Sequence, residues 1–248
     1  MSTATRGFGY LIKGLDLIGK PGVKRFVIIP LLINIIVFAV LILIGHGYVT
    51  DLIKQYTPEL PGWLAWVGVL IEIVYYLLAL LVMFYTFSFL ANLIGAPFNG
   101  FLAEAVEAHL TGQKPPGSGR NLAHEFGVIM LSELKKWLYY FMWAIPLLIL
   151  SGILLFIFPP LIGVIWFLFG SWMFSLEYSD YPMGNYGLSF SQIRKKVASK
   201  RMMTMGFGSA VTLGTMIPLV NFIVMPVAVA GATLMRVQEF PMNEIQKD

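Results

Sequence analysis

Apolar positions in this chain fall in long unbroken blocks, not in the alternating or one-faced stripes of a water-soluble core. The first block, Phe26 to Ile44, runs 19 residues without a charge and is interrupted only by Pro30 and Asn34. As a helix it is long enough for a bilayer core of about 30 Å. It follows Arg6, Lys13, Lys20, Lys24 and Arg25, so it reads as a retained span, not as the short apolar core of a signal peptide. The second block, 60–98, carries a single charge at Glu72, and Ile73 to Phe98 alone supplies 26 uncharged positions. Trp63 and Trp66 ahead of it suit an aromatic belt, and the block reads as one helix that projects beyond the bilayer.

Two later regions are built differently. Trp137 to Phe158 and Leu161 to Leu176 meet at Pro159-Pro160, a pair that cannot continue a helix, and the second arm has only 16 uncharged residues. Met202 to Met235 is broken by Gly206, Gly208, Gly214, Pro218, Asn221 and Pro226. Short Pro/Gly-interrupted pairs are the pattern of re-entrant hairpins, whose irregular backbone is buried in protein or faces water. The expected fold is an all-α integral membrane protein with two long transmembrane helices, two re-entrant (half-penetrating) helical hairpins and surface amphipathic helices. Six full spans is the competing reading.

One membrane domain over 1–248 is expected. Its parts are an interfacial amphipathic helix (1–25), span 1 (26–44), a long span 2 (60–98) and a cytoplasmic helical segment (99–136). They continue as hairpin 1 (137–176), a basic cytoplasmic helix (177–201), hairpin 2 (202–235) and a tail (236–248). In the first part Phe8, Leu11, Ile12, Leu15 and Ile18 recur at helical spacing. Asn99 is placed to cap a helix through about Leu110 with Gly112 as its stop. Ser189 with Gln192 is a capping-box pattern ahead of Arg194, Lys195, Lys196, Lys200 and Arg201.

Composition narrows the class further. Of 248 residues, 58% are apolar and 12% charged, against about 25% charged in an average soluble chain, which excludes an ordinary cytosolic domain and a disordered one. With no cysteine, disulfides, thiolate catalysis and iron–sulfur clusters drop out. The net charge of +4 is a matter of placement: 16 of the 17 basic residues lie outside the 45–59 loop. The positive-inside rule puts that loop outside and the rest on the cytoplasmic face of a bacterial inner membrane, with the bilayer and not nucleic acid as partner.

Several polar groups are candidates for chemistry. Pro21-Gly22-Val23-Lys24-Arg25, just before the first span, reads either as an anion cradle at a helix start or as interfacial cations that snorkel and set topology. Asn99, Glu104 and Glu107 put an amide and two carboxylates near one helix face, to line a pore mouth, to pair with Lys114 and Arg120, or to be solvated. Tyr178, Asp180 and Asn185 form a polar group that either braces the basic helix or belongs to a gate. Asn34, Asn92 and Asn221 sit within or beside apolar runs, where an amide has to face protein or water. His46, His109 and His124 share no ligand spacing, and no nucleotide or dinucleotide loop is present, so no metal, cofactor or enzyme activity is expected.

Four stretches carry a resemblance over essentially the full length: KPGVKRFVIIPLLIN (20–34), APFNGFLAEAVE (96–107), LEYSDYPMGNYGLSFSQIRKKV (176–197) and IPLVNFIVMPVAVAGAT (217–233). The sequence resembles the CysZ sulfate permeases of bacteria. That resemblance implies sulfate uptake across the inner membrane for cysteine biosynthesis, through a channel-like or proton-influenced permease, with sulfite and related oxyanions as neighbouring substrates. It also implies a homo-oligomer built on dimers whose subunits can pack antiparallel. The family's Gly-Leu-Arg type sulfate turn falls on Gly22, Val23, Lys24 and Arg25, with Val23 in place of Leu and Lys24 in place of Arg. The resemblance tips that turn toward anion binding. A membrane assembly or scaffold protein that transports nothing is the alternative.

Overall fold

The computed structural model describes residues 2–56, 61–116 and 122–241, and every regular element among them is helical. In chain order these are α1 (Thr3–Ile18), α2 (Arg25–Tyr56), a single 3-10 turn (Gly62–Leu64), α3 (Ala65–Thr111), α4 (Leu122–Ile157), α5 (Pro160–Gly184), α6 (Phe190–Ser199), α7 (Arg201–Thr215) and α8 (Pro218–Glu239). Four segments among the described residues are long and apolar enough to cross a membrane: Arg25–Tyr56, Gly62–Phe87, Glu133–Ile157 and Pro160–Gly184. α7, at 15 residues, is about 22 Å long and falls short of a bilayer core.

The chain divides into two compact units, 26–98 and 1–25 with 99–248. In the smaller unit, the apolar windows of α2 and of the first part of α3 are 0% buried. Helices that are apolar all round and unburied have lipid as their solvent. Phe38 and Phe87 pack edge to face at 4.9 Å, and Leu41, Gly45, Leu78 and Met83 line an apolar cleft between the two helices.

The larger unit is held by backbone-to-backbone approach. α1 lies on α7 and α8 with Gly7, Tyr10, Gly14 and Leu17 inward. A Cβ on Gly7 would sit 1.9 Å from the Met203 carbonyl oxygen, and one on Gly206 would sit 2.1 Å from that of Ala4. The apolar stripe expected to define this helix points the other way, with Phe8, Ile12 and Leu15 exposed. Both faces of α1 are therefore used, a small-residue face for packing and an apolar face left outward. Close approach of this kind is how helices associate where lipid removes the hydrophobic drive between them.

The tightest point is Gly208 of α7, where a Cβ would lie 1.8 Å from the Ser171 carbonyl oxygen of α5. Both partners are helix backbone and cannot yield without parting the helices. Gly208→Ala is expected to cost about 1–3 kcal/mol and to lower the melting temperature of the detergent-purified protein. Gly163→Ala, at a position with nothing within 4 Å of an added Cβ, is expected to leave it unchanged.

Three local expectations meet the structure differently. Pro159 and Pro160 do separate the arms of the first hairpin, but α5 runs 25 residues instead of stopping after 16. The 16 residues are only the charge-free run, and nothing in Glu177-Tyr178-Ser179-Asp180 breaks a helix; Glu177 and Asp180 lie within α5 and share Lys136 as partner. Asn99 caps nothing, since α3 is continuous through it and ends at Gly112, whose φ of 74° only glycine adopts without strain. The Ser189–Gln192 box forms, with the Ser189 N–H donating to Gln192 Oε1 at 2.9 Å. Lys200, at φ −118° and ψ 43°, then divides the basic stretch between α6 and α7.

Candidate functional site

The turn from Gly19 to Arg25 is set by two residues with opposite roles. Gly22 takes φ 83°, a left-handed conformation that glycine adopts without strain. Val23 is fully buried and pins the turn to the protein. The N–H groups of Val23 and Lys24 both donate to the Lys20 carbonyl, at 3.1 and 3.2 Å. Those two amides are thus committed to the turn itself, and what the turn presents outward is the charge of Lys24 and Arg25, both exposed.

A second charged group lies deep in the larger unit. Glu107 of α3 and Arg236 of α8 are paired while only 3% and 2% exposed. The Tyr186 hydroxyl donates to Glu107 and accepts from Arg236 Nη2 at 3.1 Å, and the guanidinium lies 4.5 Å from the Tyr186 ring centre. Burial, reinforced by the bond to Glu107, pushes the Tyr186 hydroxyl up to about 12, so it remains a donor. Glu107 is therefore neither solvated nor paired with Lys114. Arg120 lies outside the described residues. Glu104, one turn earlier, is half-buried.

Asp180 belongs to a third group that one lysine organises. Lys136 of α4, 5% exposed, reaches Glu133 at 2.6 Å, Asp180 at 2.9 Å and Glu177 at 3.2 Å. Tyr181 donates to the other oxygen of Glu177 at 3.2 Å. Tyr178 is buried with its ring stacked on Phe174 at 6.0 Å. The group ties α4 to α5, the two arms of the first hairpin. Sequence reading left Lys136 in a cytoplasmic segment. The signal that marks it is the Lys135–Lys136 pair beside an apolar run, with two acids at the end of the next run; only Lys136 is turned inward.

The amides separate into distinct roles. Asn185 donates to the Gly100 carbonyl at 3.2 Å and joins the end of α5 to α3. Asn99 is buried, with its amide nitrogen 3.4 Å from the Met225 sulfur. Asn34 keeps its amide oxygen buried with no hydrogen-bond partner among the described residues. Asn221 is exposed near the start of α8. The Asn92 side chain lies outside the described residues.

At the far end of α8, Glu239 gathers three elements. It accepts from Lys200 Nζ at 3.0 Å and from the Tyr10 hydroxyl at 2.8 Å, with Arg6 at 3.5 Å. Burial alone would raise the Glu239 carboxyl, but the bonds from Lys200 and Tyr10 and the two nearby cations outweigh it and hold the group below the usual carboxylate range. Sequence reading placed this residue in a tail; it closes α8 onto α1 and the α6–α7 junction.

Chemically, the two buried groups are structural ion pairs, whereas Lys24 and Arg25 of the turn are exposed. The sequence model of the family described as "Sulfate transporter CysZ/Etoposide-induced protein 2.4" matches residues 10–226. A relative from Pectobacterium atrosepticum named Sulfate transporter CysZ is 42% identical over 240 residues, covering 94% of this chain and 85% of its own length. Another of that name, from Pseudomonas aeruginosa, is 41% identical over 242 residues and covers 95% and 96%. One from Pseudomonas paraeruginosa shows the same identity over the same length. The chain therefore belongs to the sulfate transporter CysZ/etoposide-induced protein 2.4 family.

Proposed function

We propose that this chain is a multi-pass bacterial inner-membrane permease for sulfate and not an enzyme. The observation that carries the site is the Gly22–Arg25 turn: two exposed cations on a backbone fixed by a left-handed glycine and a buried valine. A divalent tetrahedral oxyanion matches the planar fork of Arg25, and Lys24 adds a point charge. Relatives that carry the name sulfate transporter over nearly this whole length give the anion its identity.

The route beyond the turn follows from what the helices leave available. Hairpins α4–α5 and α7–α8 enter and leave from the cytoplasmic face, and their interrupted backbones offer N–H donors in place of hydration water. α2 and the apolar part of α3 supply the two full spans, and the outward stripe of α1 rests in the interface. In the larger unit Asn99 and Asn221 border the path, with Glu104 near its mouth; Asn34 and Asn92 are candidates by their positions within apolar runs of the sequence. Glu107, Tyr178, Asp180 and Asn185 act on the path by holding the helices around it. The working form is a dimer-based homo-oligomer, and sulfite and related oxyanions use the same route.

The experiment is uptake of radiolabelled sulfate into vesicles holding only this chain. Flux along the sulfate gradient supports the permease; no flux supports the assembly-protein alternative. Flux that ignores an imposed proton gradient makes the path channel-like, and flux that follows it makes the permease proton-influenced.

A further inference from the structure

Five basic residues crowd positions 194–201, and they are not equivalent. Lys200 is engaged by Glu239, whereas among the described residues neither Arg194 nor Arg201 has a carboxylate partner. Each guanidinium lies over a ring instead, Arg194 5.1 Å from the centre of Tyr139 and Arg201 5.1 Å from that of Trp172. The two rings are joined, because Trp172 Nε1–H donates to the Tyr139 hydroxyl at 3.0 Å. Side chains from α4, α5, α6 and α7 thus form one connected set with a cation at each end.

The chemistry of this set selects its surroundings. A guanidinium held over a ring is steadied by the negative π face and keeps its in-plane N–H donors for an acceptor beside it. Such donors without a carboxylate are too costly to leave in hydrocarbon, so the level of Trp172 on α5 is the headgroup level. Trp172 lies 12 residues beyond Pro160, about 18 Å along the helix, so the tip of this hairpin reaches only toward the middle of the bilayer. Tyr and Trp are the residues of that boundary, and Trp137 stands exposed on the same stretch of α4 as Tyr139.

We infer that Arg194, Tyr139, Trp172 and Arg201 form a docking surface for the phosphate of an anionic phospholipid. The two forks offer the bidentate geometry that phosphate oxygens accept. A zwitterionic headgroup brings its own ammonium against the same cations, so the surface prefers a headgroup with net negative charge. A bound lipid bridges the helix carrying Arg194 to the start of α7 and fastens the two hairpins at one depth. This surface is separate from the Gly22–Arg25 turn, and lipid retention and sulfate flux are read independently.

Native mass spectrometry of the purified chain, extracted with equal phosphatidylglycerol and phosphatidylcholine, tests the assignment. The wild type is expected to retain phosphatidylglycerol selectively and to melt higher when it is added. The double variant Arg194→Gln/Arg201→Gln is expected to retain about fivefold less, while Lys195→Gln, on the same helix but not over a ring, stays within about twofold of wild type. Equal retention of both lipids by the wild type overturns the inference whatever the variant's fold. So does unchanged retention by a folded double variant, or release of the lipid by millimolar inorganic sulfate or phosphate, which assigns the surface to the free oxyanion.

Discussion

Arg25→Glu abolishes sulfate binding in a calorimetric titration, while Arg25→Lys retains it in weakened form. A charge-assisted hydrogen bond to an oxyanion is worth about 1.5–3 kcal/mol, and reversing the charge adds repulsion to its loss, so affinity falls by about 100-fold or more. Lysine keeps the point charge but not the fork, and a weakening of about tenfold is expected. Arg25 is exposed on the turn and Val23 is the buried anchor of its backbone, and a melting temperature equal to the wild type's is the check that the charge reversal leaves the fold intact. Retained affinity in Arg25→Glu removes the turn as the binding site.

Arg236→Met has a different target and is expected to be the most destabilising single change in the larger unit. It leaves Glu107 buried beneath Tyr186 without its cation, and breaking a buried pair by removing one partner costs about 3–5 kcal/mol. Adding Glu107→Gln restores much of that loss, because a neutral amide no longer needs the cation. Thermal unfolding of the single and double variants in detergent checks both statements. A double variant no more stable than Arg236→Met shows that packing around Arg236, and not the buried charge, holds α3 to α8.

The overall character of this protein was readable from its apolar blocks, because lipid as solvent leaves an unmistakable signature: long uncharged runs. The capping box at Ser189, the stop at Gly112 and the break at Pro159-Pro160 were readable too, since each is decided by a few neighbouring residues. The shared partner of Glu177 and Asp180 was not, because both read as surface charge until Lys136 is brought against them from 41 and 44 residues away.

The same limit applied to α1. Its apolar stripe dominates the sequence pattern, while the face that packs is marked only by Gly7 and Gly14, whose meaning depends on glycines near positions 206 and 231. The candidate residues divide along this line as well. Gly22 to Arg25 form a local motif that neighbouring residues mark out, open between an anion cradle and interfacial cations until the family resemblance tips it toward the anion. The Glu107–Arg236–Tyr186 group is assembled from three distant segments, and nothing near Glu107 in the sequence announces its partner.

The central claim is that this chain alone moves sulfate through a route that begins at the cationic turn. Radiolabelled sulfate uptake into proteoliposomes holding only the wild type, beside vesicles holding Arg25→Glu at equal protein and with equal melting temperature, measures it directly. The account predicts saturable flux down the sulfate gradient for the wild type and flux near that of empty vesicles for the variant. Equal flux in the two would contradict the role of the turn, and no flux above empty vesicles in the wild type would contradict the permease itself.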